Sequence, residues 1–317
     1  MPQTHQHTAH SGEGGHHPSH HPSHHPSHHP SHHPGPHPDH RHSGHQEHSD
    51  GEQAEILDLD AEVLAEHIAS ITAWLPLKSE PRRIVDLGCG TGAGTFALLE
   101  RFPDAHVTAV DSSAGHLRLL REKACARGVE ERVRTVQADL DANHWPDLGT
   151  PDLVWASASM HHMADPGRAL ASVHDLLAPG GLFAVVELAD FPRFLPAHAP
   201  ESRPGLEERA HAATGSFHAE HVPHRGADWG PMLTAAGFTV EDERTIIVNI
   251  EGGRSEAIGR YAVGGLRRIR RVAAPVLSPE DLAALDELLD TNSPNSILRR
   301  EDLAVRTERT VWAARRA

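Results

Sequence analysis

Apolar positions along the chain recur with the two periods that regular structure imposes. Over 56–75, Leu59, Val63, Leu64, His67, Ile68, Ile71 and Leu75 follow helical spacing. Asp58 or Asp60 could cap this helix, and Pro76 and Pro81 end it. Ile84, Val85 and Leu87 then read as a buried strand, and Phe96, Leu99 and Phe102 as the face of a following helix. The alternation continues. A strand over 106–110 precedes a helix over 114–127 (Leu117, Leu120 and Ala124, stopped by Gly128). Strands over 132–138 and 151–156 follow. A helix over 168–177 then leads through Ala178-Pro179-Gly180-Gly181 to an apolar strand over 182–188. Strands alternating with helices predict crossovers into a parallel sheet, a doubly wound α/β fold. From Asp190 to about Pro231 the pattern breaks, with prolines at 192, 196, 200, 204 and 223. Periodicity then predicts a helix over 229–237, a strand to about 250, helices over 255–272 and 282–289, and a final strand over 303–314.

Between the first strand and its helix, Gly88, Gly90, Gly92 and Gly94 alternate with small residues. Glycine reaches positive φ without steric cost and lets a ligand approach the backbone. The helix start beyond aims unpaired N–H groups at that ligand. Gly88-x-Gly90-x-x-Ala93 fits a relaxed dinucleotide fingerprint, but Asp86 puts a carboxylate where a pyrophosphate would lie. The same carboxylate suits an ammonium group. Asp111 ends the second strand, 19 residues after Gly92, where an acid can accept from both hydroxyls of a ribose. It could instead cap the next helix, a role open also to Ser112 or Ser113.

Asp86-Leu-Gly88-Cys89-Gly90-Thr-Gly92 resembles motif I of the class I S-adenosylmethionine-dependent methyltransferases. LLAPGGLFAVVEL resembles that family's fifth-strand region. The resemblance covers 84–188. It implies a seven-stranded, mostly parallel Rossmann-like sheet with an antiparallel last strand, and S-adenosyl-L-methionine as cofactor. The implied cofactor contacts are Asp86, Gly88, Cys89, Gly90 and Gly92 around the amino-acid end, and Asp111 and Ser112 at the ribose and adenine. Asp139 and Leu140 follow at the adenine, and Ala156 lies at the end of the fourth strand.

That strand runs into Ser157-Ala-Ser159-Met160-His161-His162. The Asn/Asp-Pro-Pro-aromatic clamp for planar amines and the Pro-Cys nucleophile for cytosine are both absent here. The run resembles small-molecule methyltransferases, including those of quinone biosynthesis and natural products. A neutral imidazole can take a proton from a hydroxyl or amine near pH 7. His161, nearer the strand end, is the candidate base; alternatively one histidine packs and the other caps. Glu187 faces the substrate or pairs with a cation. Arg267, Arg268, Arg270 and Arg271 read as a solvated helix face, the other reading being attraction for an anionic substrate.

Composition changes the picture mainly at the N-terminus. Eighteen of the 30 histidines lie within the first 48 residues, and His-His-Pro-Ser repeats from His16 to Pro34. Proline at every fourth position and the lack of apolar side chains predict a disordered tail over 1–53. The methyltransferase domain then spans 54–317, with its core at 84–188 and the lid and C-terminal strands at 189–317. Paired imidazoles at His16, His17, His20, His21, His24, His25, His28, His29, His32 and His33 suit loose Zn or Ni binding. A formal charge of −15 disfavours a nucleic-acid partner. Two cysteines, Cys89 and Cys125, suit a reducing compartment, and no apolar run approaches a membrane span. The expectation is a cytoplasmic enzyme of unspecified oligomeric state acting on a small molecule. The alternatives are an NAD-dependent oxidoreductase, disfavoured by Asp86 and by the missing Tyr-x-x-x-Lys pair, or a metal-buffering protein built around its tail.

Overall fold

The computed structural model describes residues 41–253 and 255–317, with side chains from residue 51 onward. The tail histidines from His16 to His33 and the disorder expected of the tail up to residue 40 lie outside the described residues. Helix α1 (Arg41–Val63) begins inside the segment expected to be disordered, so the 53/54 boundary falls within a helix. The sequence has its last tail proline at Pro38 and none again until Pro76, so no proline interrupts a helix there. The single helix expected over 56–75 bends at Leu64 into α2 (Ala65–Trp74). Its i→i−4 hydrogen bonds persist through the bend, from Leu64 N–H to Asp60 and from Ile68 N–H to Leu64.

Seven strands form one sheet in the order β3-β2-β1-β4-β5-β7-β6. They are β1 (Arg83–Leu87), β2 (His106–Asp111), β3 (Val133–Gln137), β4 (Leu153–Ser157), β5 (Leu182–Leu188), β6 (Phe238–Glu251) and β7 (Ala304–Arg316). β1 to β5 pair in parallel, and β7 runs antiparallel between β5 and β6. The doubly wound sheet with a reversed last strand, as expected, is what the chain adopts.

Strand alternation sorts the core into two layers. Ile84, Val107, Ala109, Trp155, Ala184 and Val186 face α2, α3 (Ala93–Arg101) and α4 (Ala114–Ala126). Leu87, Val110, Ala156, Phe183 and Val185 face α5 (Pro166–Leu176) and α8 (Trp229–Ala235). Each fully buried large side chain contributes about 1.5–3 kcal/mol. Local chemistry sets the helix starts. Ser113 caps α4, and Asp165 caps α5 with proline in the first turn.

The proline-rich stretch after β5 is partly helical, with α6 (Leu206–Ala213) and α7 (Gly215–His221). α6 packs with α9 (Glu256–Ala273) and α10 (Pro279–Leu289) into a third apolar cluster that includes Phe194, Tyr261, Leu266 and Leu285. Among the described residues no helix is long and apolar enough to cross a membrane.

Candidate active site

The glycine turn lies between β1 and α3. Gly88, Gly90 and Gly92 hold φ of 67°, 52° and 102°, which side-chain-bearing residues avoid. A Cβ on Gly88 would stand 2.4 Å from the Ser159 Cβ, so the turn lies flush against the segment after β4. Cys89 N–H donates to the Val110 carbonyl, tying the turn to β2.

Two carboxylates flank this turn, with opposite electrostatics. Asp86 is buried and accepts from the Thr95 hydroxyl at 2.6 Å. Burial pushes its carboxyl up to about 7, and the nearby charge of Asp111 adds to the rise. Among the described residues no Lys, Arg or His makes an ion pair with it. Asp111 accepts from the N–H of Gly90 and of Ser113, each at 2.8 Å. Burial alone would raise its pKa. The His116 ring, 3.4 Å away, and these two N–H donors outweigh that and hold it below the usual carboxylate range. Asp111 is therefore ionised at neutral pH, and the helix-capping role belongs to Ser113.

Ser112, Asp139 and Leu140 line the same cavity at the ends of β2 and β3. The Ser112 carbonyl accepts from Gln137 Nε2, and Asp139 closes a turn by accepting from Asp141 N–H at 2.9 Å. Cys89 also borders the cavity, its thiol held protonated by burial. Ala156 does not. It is in register with Leu87 on the opposite face of the sheet and belongs to the core beneath, whereas Trp155, in register with Asp86, borders the cavity. Registered partners in a parallel pair point the same way, so Trp155 and Ser157, not Ala156, border the cavity at this strand end.

At the end of β4 the backbone turns sharply through Ala158, with φ of 51°. Glu187 builds this turn from β5. Its Oε1 accepts from the N–H of Ser159, Met160 and His161 at 3.1, 2.8 and 3.2 Å. Its Oε2 lies 2.6 Å from His161 Nδ1. Both side chains are buried. The carboxylate engages the Nδ1 side of the ring, so Nε2 is the edge directed away from Glu187. Nε2 makes no hydrogen bond among the described residues, and His161 lines the cavity. Glu187 thus pairs with a histidine rather than facing a substrate.

The far wall comes from elements distant in sequence. Asp60 on α1 accepts from the Tyr261 hydroxyl of α9 at 2.5 Å and from Arg309 of β7 at 2.7 and 2.8 Å. Asp58, two residues earlier, bonds to Thr91 of the glycine turn and to Lys123. One turn of α1 therefore braces both halves of the site. These contacts went unread in the sequence because no local pattern links residues 33 to 249 positions apart.

Together these residues enclose a cavity of about 910 Å³. The cradle fits the cofactor expected from the motif. The glycine turn leaves room at the backbone, Asp111 is an ionised acceptor, and Asp86 is a buried carboxyl lacking a cation. Among the described residues no three His, Cys, Asp or Glu side chains are grouped to hold a metal ion.

A methyltransferase-domain family model matches residues 85–183. Trans-aconitate 2-methyltransferase of Methylobacterium nodulans is 31% identical over 223 residues, 70% of this chain and 79% of its own length. Demethylmenaquinone methyltransferase of Thermus thermophilus is 40% identical over 119 residues, 38% of this chain and 53% of its own. A Bacillus halodurans protein provisionally assigned as a methyltransferase shares the fold, with a TM-score of 0.50 at 18% identity over 78% of this chain and 98% of its own. For three of the curated relatives the similarity spans 30%, 53% and 42% of their length. The sheet order, the glycine turn with its two acids and these similarities agree: the chain belongs to the class I S-adenosylmethionine-dependent methyltransferases.

Proposed function

We propose that the protein transfers a methyl group from S-adenosylmethionine to a small-molecule acceptor, with His161 as general base. The observation that supports this most directly is one cavity bordered by both the Asp86–Asp111 glycine turn and the His161–Glu187 pair. S-adenosylmethionine supplies a methyl on a sulfonium, whose S–C bond breaks with its electron pair left on sulfur as the acceptor–carbon bond forms. Asp86 receives the ammonium of the amino-acid end, and Asp111 receives the ribose hydroxyls. His161 Nε2 takes the acceptor's proton and passes it to solvent. Glu187 keeps Nδ1 protonated and stabilises the imidazolium. The buried walls exclude water and fix the line of attack. The two relatives described above are named for acting on trans-aconitate and on demethylmenaquinone, both small molecules.

The test is calorimetric titration of the full chain with S-adenosylmethionine and, separately, NADH, beside Asp111→Ala. Micromolar binding of the first, weakened about 10- to 100-fold in the variant, is the expected result. Binding of NADH alone, or of neither, overturns the reading. The tail adds a second, separable property. Its paired imidazoles suit loose capture of Zn or Ni, and removing residues 1–40 should abolish that binding while sparing the cofactor site.

A further inference from the structure

The charges around the cavity are unevenly spread. Asp86, Asp111, Asp139 and Asp141 border its cofactor end. At the other end Asp60 is already bonded to Arg309 and Tyr261. Arg268 also lines that end. Two other arginines of its helix are partnered: Arg270 pairs with Asp286 and Arg271 with Glu52, and Arg267 does not line the cavity. Arg268 has no hydrogen bond and no ion pair among the described residues. Instead its guanidinium lies 5.2 Å from the centroid of Phe191, which Arg225 approaches at 4.3 Å. Arg225 has Asp190 at 3.8 Å to offset its charge; Arg268 has no such acid among the described residues.

An unpaired guanidinium in a cavity wall is costly unless an anion meets it. Its planar fork matches a carboxylate bidentately, and the Phe191 ring holds the fork in orientation. Leu188, Phe194, Val222 and Ile269 give the cavity apolar wall, with His218 and the bonded Asp60–Arg309 pair as further polar groups in its lining. A single uncompensated cation against apolar walls selects one negative charge on an apolar body, not a polyanion. Desolvation in the wall, together with His161 and Arg268, holds His162 at about 4, so it brings no further positive charge at neutral pH.

We propose that Arg268 anchors a substrate carboxylate, so that the methyl acceptor is a small organic monoacid with an apolar body. Its acid sits on the guanidinium while a separate nucleophilic group meets His161. This assignment rests on the methyltransferase reading of the cavity and adds the substrate class.

The experiment loads the full chain with S-adenosylhomocysteine. It then measures thermal shift and calorimetric binding for a panel of aliphatic and aromatic monocarboxylic acids, each matched to its primary amide. Wild type, Arg268→Gln and Arg268→Lys are compared. The expected result is that the best acids bind at least about tenfold tighter than their amides. Arg268→Gln should lose that preference while keeping its affinity for S-adenosylhomocysteine, and Arg268→Lys should restore part of it. Equal binding of acids and amides, an unchanged preference in Arg268→Gln, or no acid bound at all by the loaded protein overturns the anchor. Failure of the wild type to bind S-adenosylhomocysteine overturns the methyltransferase reading itself, which separates the two.

Discussion

Replacing Asp86 with asparagine separates what the residue does for stability from what it does for the cofactor. The carboxyl sits at about 7 in the folded chain against a reference of 3.8. That difference corresponds to about 4 kcal/mol at most, and about 2 kcal/mol after relaxation around the charge. The folded pKa is raised, so the folded state holds a proton that the unfolded state releases between pH 4 and 7. Stability is therefore full below pH 4, falls as pH rises through that window and levels off above it. Asparagine removes the charge and can keep the 2.6 Å hydrogen bond with Thr95. Without cofactor, Asp86→Asn should match wild type near pH 3.5 and exceed it by about 2 kcal/mol at pH 8, or roughly 4–8 °C in Tm. Urea denaturation at both pH values reads this directly. Cofactor affinity should move the other way. Wild-type binding should tighten by up to about tenfold per pH unit from 5 to 7 as Asp86 ionises to meet the ammonium, and the variant should bind weakly at every pH. A wild type whose stability is flat across this window, or a variant less stable at pH 8, would refute the reasoning.

Other outcomes follow from single contacts. Gly88→Ala must take φ of 67° and push its Cβ to 2.4 Å from Ser159, so it should lose at least about 2 kcal/mol in urea denaturation. Gly128→Ala, at φ of 64° with open space around it, should lose only about 1 kcal/mol, isolating the packing contribution. Glu187→Gln turns an amide N–H toward His161 and favours the tautomer with its proton on Nε2; kcat should drop about 100-fold with a changed pH profile while the fold is kept. His161→Gln should fall by a similar factor, and the double variant little further, since the pair acts as a unit. Additive losses would count against the dyad.

The glycine-turn half of the cavity was legible because its determinants are local. β1, the glycine turn and α3 are contiguous, and Asp111 closes the next strand, so period and spacing sufficed to align Asp86, Gly90 and Asp111. Ala156 lies outside the cavity lining for a reason also local: position at a strand end says that a residue is near the cavity, not which face it takes. Knowing that Asp86 faces the cavity and pairs in register with Trp155 would have placed Trp155 in its wall instead. Glu187 was visible as an acid in an apolar strand, but its partners lie 26 to 28 residues earlier across a crossover that sequence spacing cannot fold.

The substrate half is encoded differently, and α9 shows how. Its arginine-rich stretch reads as a solvated face when the charges are counted together. Taken by helical position, Tyr261, Gly265, Arg268 and Ile269 fall at i, i+4, i+7 and i+8, and all four line the cavity. One arginine therefore belongs to the inward stripe, while Arg270 and Arg271 turn to acids on α10 and α1. The stripe was readable only if a charge is allowed on a buried face, which pattern reading excludes by default because a buried charge needs a partner. The same physics makes the exception informative. The fold supplies an acid for Arg309 in Asp60 and none for Arg268 among the described residues, so the missing charge is assigned to the substrate. On the proposed reading, specificity rests on side chains from α1, α9 and β7 that do not belong to the glycine turn. Substitutions at Arg268 should therefore change which acceptor binds while leaving cofactor binding at Asp86 and Asp111 intact.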